Sequence, residues 1–145
     1  MTTKRFVWKK DYAVGVKWLD EQHQHFFKLV NEIIRTANKK SMTRKDLLFC
    51  LTHLSNHAFF HFDEEEKYLI DSKYPDVINH IAAHKKYRIE IKNFIIFVED
   101  DKSEIRMLAD KVAEFASHWL SRHMLGVDKE KKCFLGNTGE SDPTP

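Results

Sequence analysis

A chain that is to turn often needs glycine and proline, and this one has few of either. Only 4 glycines and 3 prolines occur in 145 residues. Five of these seven lie outside the middle of the chain, a distribution that favours long helices over many short strands. Between the sparse breakers, apolar residues recur at helical spacing. Asp20 is a candidate cap for a first helix carrying Phe26, Phe27, Leu29, Val30, Ile33 and Ile34, which fades near Asn38. Thr43 is a candidate cap for a second, through Leu47, Leu48, Leu51, Leu54, Ala58, Phe62 and Leu69, ending before the Lys73-Tyr74-Pro75 turn. With Pro75 just inside its start, a third helix carries Val77, Ile78, Ile81, Ala82, Ile89, Ile91, Phe94, Ile95 and Val98 to an acidic corner at Glu99-Asp100-Asp101. Ser103 restarts the chain, and a fourth runs through Ile105, Leu108, Val112, Phe115, Ala116, Trp119 and Leu120 at least to Met124.

Four amphipathic segments with short connections predict an all-α, up-down-up-down four-helix bundle. A hydrophobic content of 42% in 145 residues suffices for one core, so a single domain is expected over residues 1–135. Its first 19 residues are expected to form an irregular arm, and residues 136–145, rich in turn formers, a disordered tail.

Twenty-four Lys plus Arg against 22 Asp plus Glu leave a formal charge of +2. The basic residues are scattered, which argues against a nucleic-acid footprint. Cys50 and Cys133 form no Cys-x-x-Cys arrangement, so neither a disulfide framework nor a thiolate zinc site is suggested. The longest apolar run, Phe94 to Val98, is too short to span a bilayer, and the amino terminus lacks an apolar signal core. No membrane association and a cytoplasmic location are expected.

Nine histidines are many for such a chain. His61 with Glu65, and His80 with His84, each stand four residues apart and so share a helix face, where each pair can bind one metal. The first and fourth helices add His23 and His123. Asp128, five residues beyond His123, would reach the same centre if the end of the fourth helix were slightly unwound. Five imidazoles and two carboxylates suit two metals bridged by both carboxylates and a solvent-derived oxygen: three His complete one ion, and two leave the other a vacancy for a small molecule. Such ligation suits iron, while manganese or zinc stays open on spacing alone.

LDEQH at Leu19 to His23, HFDEE at His61 to Glu65, YPDVINHIAAH at Tyr74 to His84 and HWLSRHMLGVD at His118 to Asp128 together resemble the bacterial hemerythrins, from about Val14 to Asp128. All seven ligand positions of that family are filled. The resemblance implies a non-heme di-iron centre with an oxo or hydroxo bridge that binds dioxygen reversibly. His80, His84 and His123 would hold the saturated iron, His23 and His61 the iron with the vacancy, and Glu65 and Asp128 would bridge. Leu120 matches the family's pocket leucine, and Trp119, Phe27 and Phe62 are expected to add to the pocket walls.

Any one of these histidines alone would more often be a satisfied core or surface residue; jointly that is improbable. Asp63, Glu64 and Glu66 are read as solvated members of an acidic run. His25, His53, His57 and His118 are expected outside the ligand set, with His57, one turn before His61, a candidate to hydrogen-bond a ligand or the bound gas. Trp8, Trp18 and Trp119 are expected in core or arm packing. The expected activity is oxygen storage, transport or delivery by a binding protein rather than an enzyme. The competing readings are oxidase, peroxide or nitric oxide chemistry, or an oxygen or iron sensor, on the same site. A ferritin-like oxidase would favour Glu-x-x-His motifs, and none occurs. Oxygen delivery would call for a protein partner that the sequence does not identify, and the chain is expected to be a monomer or weak oligomer.

Overall fold

The computed structural model describes residues 5–127. Four helices form in the predicted order: α1 Lys17–Ala37, α2 Arg44–Asp71, α3 Val77–Glu99 and α4 Ile105–Trp119, the last continuing as a π-helical segment, Leu120–Val127. α1 and α3 each pack against both α2 and α4, the ring order of an up-down-up-down bundle. The anticipated tail lies outside the described residues, as does Asp128. No helix of the described residues is long and apolar enough to cross a membrane.

Each helix buries one stripe. On α1 it is Leu19, His23, Phe26, Val30, Ile33 and Ala37; on α2, Leu47, Leu51, Leu54, Ala58, His61, Glu65 and Leu69. On α3 the stripe is His80, His84, Tyr87, Ile91 and Val98, and from α4 onward Ala109, Val112, Ala116, Leu120 and His123. The alternating steps of three and four keep each stripe facing its neighbours along the bundle. The titratable side chains sit within these stripes, in positions an apolar residue would otherwise fill.

Helix ends follow local chemistry. Thr43 caps α2 as expected: its hydroxyl accepts from the Asp46 amide at 3.1 Å, and the Asp46 carboxylate accepts from the Thr43 amide at 3.0 Å, a reciprocal capping box. α1 starts at Lys17, three residues before the expected cap. Asp20 lies inside its first turn, where its carboxylate accepts from the Val14 and Gly15 amides at 2.7 and 3.2 Å. Asp20 therefore pins the arm onto the helix. Pro75 stays outside α3, with Asp76 at the cap position. Glu104, not Ser103, caps α4 by accepting from the Arg106 and Met107 amides, while the Ser103 hydroxyl takes a hydrogen bond from Arg44 at 2.6 Å.

Two arginines close one end of the bundle. Arg44, at the start of α2, donates to the Val98 carbonyl at the end of α3 and to the Ser103 carbonyl, both at 2.8 Å. Arg106, at the start of α4, donates to the carbonyls of Ala37, the last residue of α1, and of Lys39 beyond it. The last carbonyls of a helix have no partner within it, and these guanidiniums supply some of them. The arm is irregular, as expected, apart from one 3-10 turn at Lys10–Tyr12, and it is tied to the bundle. Its backbone at Phe6 exchanges two hydrogen bonds of 2.8 Å with the Asn31 side chain, and Phe6, Trp8 and Tyr12 surround Phe27.

Candidate metal centre

At the end opposite the two arginines, the four inward stripes deliver His23, His61, Glu65, His80, His84 and His123 to one layer. All six are at most 3% exposed. Their ligand atoms form two groups that share one residue: Glu65 with His80, His84 and His123, and Glu65 with His23 and His61.

Glu65 divides its carboxylate between the groups. Its Oε1 lies in a hydrogen-bonding contact with His80 Nε2, 3.2 Å from His84 Nε2 and 3.7 Å from His123 Nε2. Its Oε2 lies 3.4 Å from His23 Nε2 and 3.3 Å from His61 Nε2. One oxygen thus faces three imidazoles and the other faces two. His84 Nε2 and His123 Nε2 stand 3.1 Å apart.

The far side of two rings fixes which nitrogen faces inward. His61 Nδ1 donates to Gln22 Oε1 at 2.7 Å, and His84 Nδ1 donates to Glu66 Oε2 at 2.9 Å. Because the acceptors are an amide oxygen and a carboxylate, the proton sits on Nδ1, and the inward Nε2 of each keeps its lone pair. Imidazole ligands of a metal are oriented in this way. A buried set of imidazoles converging on the two oxygens of one carboxylate fits a pair of divalent cations. Without cations, packing so many polar atoms into a core position carries a desolvation cost.

Aromatic rings hold the layer from outside. Phe62 stacks on His84 with centroids 4.0 Å apart, and Trp119 stacks on His123 at 4.9 Å and on Tyr87 at 4.1 Å. Leu120 is fully buried. Phe27, expected in the pocket wall, instead makes its ring contacts with the arm.

Two residues here escaped sequence reasoning. Gln22 was passed over because nothing in its position signals a partner across the bundle. Glu66 was read as solvated, and that reading is corrected: its side chain is 16% exposed and binds His84 and Arg88. Burial pushes the Glu66 carboxyl up, yet His84 and Arg88 outweigh it and hold the group below its ordinary value. His57 turns its Nε2 to the Gln22 carbonyl at 2.9 Å rather than to the cluster. Burial lowers its pKa more than that carbonyl raises it. His25, His53 and His118 are exposed.

Asp128 lies beyond the described residues. The backbone from Leu120 to Val127 is π-helical, a winding that joins residue i to i+5, so the chain after α4 is coiled more loosely than an α-helix.

Residues 14–132 match the family model described as the hemerythrin HHE cation binding domain. A bacteriohemerythrin of Clostridium acetobutylicum is 26% identical over 127 residues, covering 86% of this chain and 97% of the relative. A myohemerythrin of Riftia pachyptila is 27% identical over 127 residues, covering 88% and 91%. Among solved structures, a leucine-to-tyrosine mutant of hemerythrin superposes with a TM-score of 0.75 at 24% identity, covering 86% of this chain and 92% of that one.

Proposed function

Because this chain belongs to the hemerythrin family, we propose that its histidine and carboxylate layer holds two non-heme irons and binds dioxygen reversibly, for oxygen storage, transport or delivery. The division of Glu65 carries the reading: one oxygen toward His80, His84 and His123, the other toward His23 and His61. In this assignment Glu65 and Asp128 would supply the two carboxylates that hold the pair. The position served by only two imidazoles would be the one left able to take a small molecule.

The chemistry an iron pair supplies when bound is the reversible lending of two electrons to dioxygen. The chain's own task is to hold the pair and keep other reactions out. Gln22 and Glu66 keep the His61 and His84 rings turned with bare nitrogens inward. Phe62 and Trp119 lie against ligand rings and Leu120 is buried one turn before His123, a largely apolar surround without an acidic group of its own, which disfavours water entry. Leu120, one turn before His123, is assigned to the oxygen pocket.

The test is reduction of iron-loaded protein under argon, followed by cycles of air and argon, with absorbance in the oxygen-to-iron charge-transfer region recorded throughout. Colour that rises in air and falls under argon, with two irons per chain, is the expected result. Permanent conversion on first contact with air would overturn reversible binding in favour of oxidase, peroxide or sensing chemistry at the same layer.

A further inference from the structure

The two metal positions assigned above are backed by different chemistry. Behind His61 stands a neutral amide, Gln22, at 2.7 Å. Behind His84 stands a carboxylate, Glu66, at 2.9 Å. That carboxylate is also held by Arg88, whose Nη1 lies 3.0 Å from Glu66 Oε2. Arg88 follows His84 by one helical turn, donates from its other nitrogen to Asp63 at 2.9 Å, and lies 5.2 Å over the Phe62 ring that is stacked on His84. One guanidinium thus clamps both the group behind the imidazole and the ring covering its face.

Resting on the two-metal reading, we propose that Glu66 and Arg88 form a positioning and charge-setting pair that makes the His80, His84 and His123 position the stronger cation site. A carboxylate accepting the Nδ1 proton draws that proton toward itself and leaves more electron density on Nε2, so His84 becomes a better donor to a cation than an imidazole backed by an amide. Arg88 works in the opposite sense. It shares the same Oε2 and withdraws part of the charge that Glu66 would otherwise press on His84. Its second role is steric, since its contacts with Phe62 and Asp63 tie α3 to α2 at this level. The pair therefore gives each residue a sign: removing the acid weakens the adjacent position, and removing the base while keeping its bulk strengthens it. Neither residue touches the cation.

Titration of the metal-free full chain with cobalt(II) against a chelating indicator tests this without oxygen or iron. Wild-type protein should take two ions. In Glu66→Gln one of the two should bind about 10-fold to 100-fold more weakly, the range seen when a group behind a ligand is removed, while the other changes by less than about two-fold. In Arg88→Met that same ion should bind more tightly than in wild type. Far-ultraviolet circular dichroism of each metal-free variant checks that the bundle is intact.

Unchanged cobalt binding in Glu66→Gln would overturn the proposal. So would parallel weakening in both variants, which is what a purely structural clamp would give, or an Arg88→Met protein indistinguishable from wild type. Fewer than two cobalt ions on the wild-type chain would instead overturn the two-metal reading on which the proposal stands.

Discussion

At the end of the bundle closed by Arg44 and Arg106, the inward stripes carry Ile33, Leu47, Leu51, Val98 and Val112, all buried. At the other end the same stripes carry His23, His61, Glu65, His80, His84 and His123, equally buried. Burial is alike at the two ends; what changes is the side-chain chemistry, together with the winding at His123, which lies in the π-helical segment. The first end gains free energy from leaving water, about 1.5 to 3 kcal/mol for each large aliphatic side chain. The second buries polar atoms instead, whose desolvation cost has to be offset by hydrogen bonds and, on the proposed reading, by cations. The fold is thus stabilised at one end, and that stability lets the other end hold imidazoles where leucines would otherwise pack.

The comparison breaks most completely at Glu65. Replacing it with alanine removes the group both cation positions share, so Glu65→Ala should lose both cobalt ions, whereas His23→Ala should lose one; equal losses in the two variants would contradict the division of the carboxylate. Next in size is the apolar end. Leu51→Ala should cost about 2 to 5 kcal/mol in urea unfolding of the metal-free chain, with cobalt stoichiometry unchanged. A third measurement puts both ends on one scale. Cation at 100 times its dissociation constant should add about 2.7 kcal/mol of stability per occupied site to wild type and to Leu51→Ala alike, and none to Glu65→Ala. If metal failed to raise the unfolding midpoint, the polar layer would not be where cation binding and folding are linked.

The smallest expected effect lies at the start of α2. Thr43→Ala should cost about 1 kcal/mol and leave metal binding untouched. Hydrogen bonds from the Thr43 amide and hydroxyl hold the Asp46 carboxyl below its ordinary value. A depressed carboxyl contributes stability that is present above its unfolded pKa and lost as pH falls through the folded one. Acid unfolding of Thr43→Ala should accordingly show a weaker dependence on pH below about 4, near the ordinary aspartate value, than wild type does.

The helices were legible because three-and-four spacing survives the switch from leucine to histidine: His61 and Glu65 continue the run of Leu47, Leu51, Leu54 and Ala58, and His80 and His84 begin the run of Tyr87, Ile91 and Val98. Spacing alone also put the cluster residues on shared faces. The third helix shows where the pattern misleads. Ile78 and Ile89 read as core residues but are 80% and 52% exposed, because the stripe facing the bundle is the one bearing His80 and His84. A helix apolar on several sides does not announce which side will face inward. Gln22 and Glu66 were hidden for another reason. Their partners, His61 and His84, lie on other helices, 39 and 18 residues away, and periodicity along one helix says nothing about pairing across two. The start of α1 was missed because Asp20 serves the chain before the helix instead of capping it.

The π-helical segment after α4 has a consequence for how sequences of this kind can vary in length. A π turn amounts to one extra residue threaded into an α-helix, so the stretch from Leu120 to Val127 sets His123 at a phase that ordinary winding would not give it. Deleting a single residue such as Ser121 would remove that extra residue and let the coil relax to ordinary winding of about 3.6 residues per turn. Such a deletion would change no ligand's identity and remove no core residue, yet it would alter the phase at which His123 meets the stripe of Ala109, Val112, Ala116 and Leu120. Chain length in that one turn is therefore as informative as residue identity.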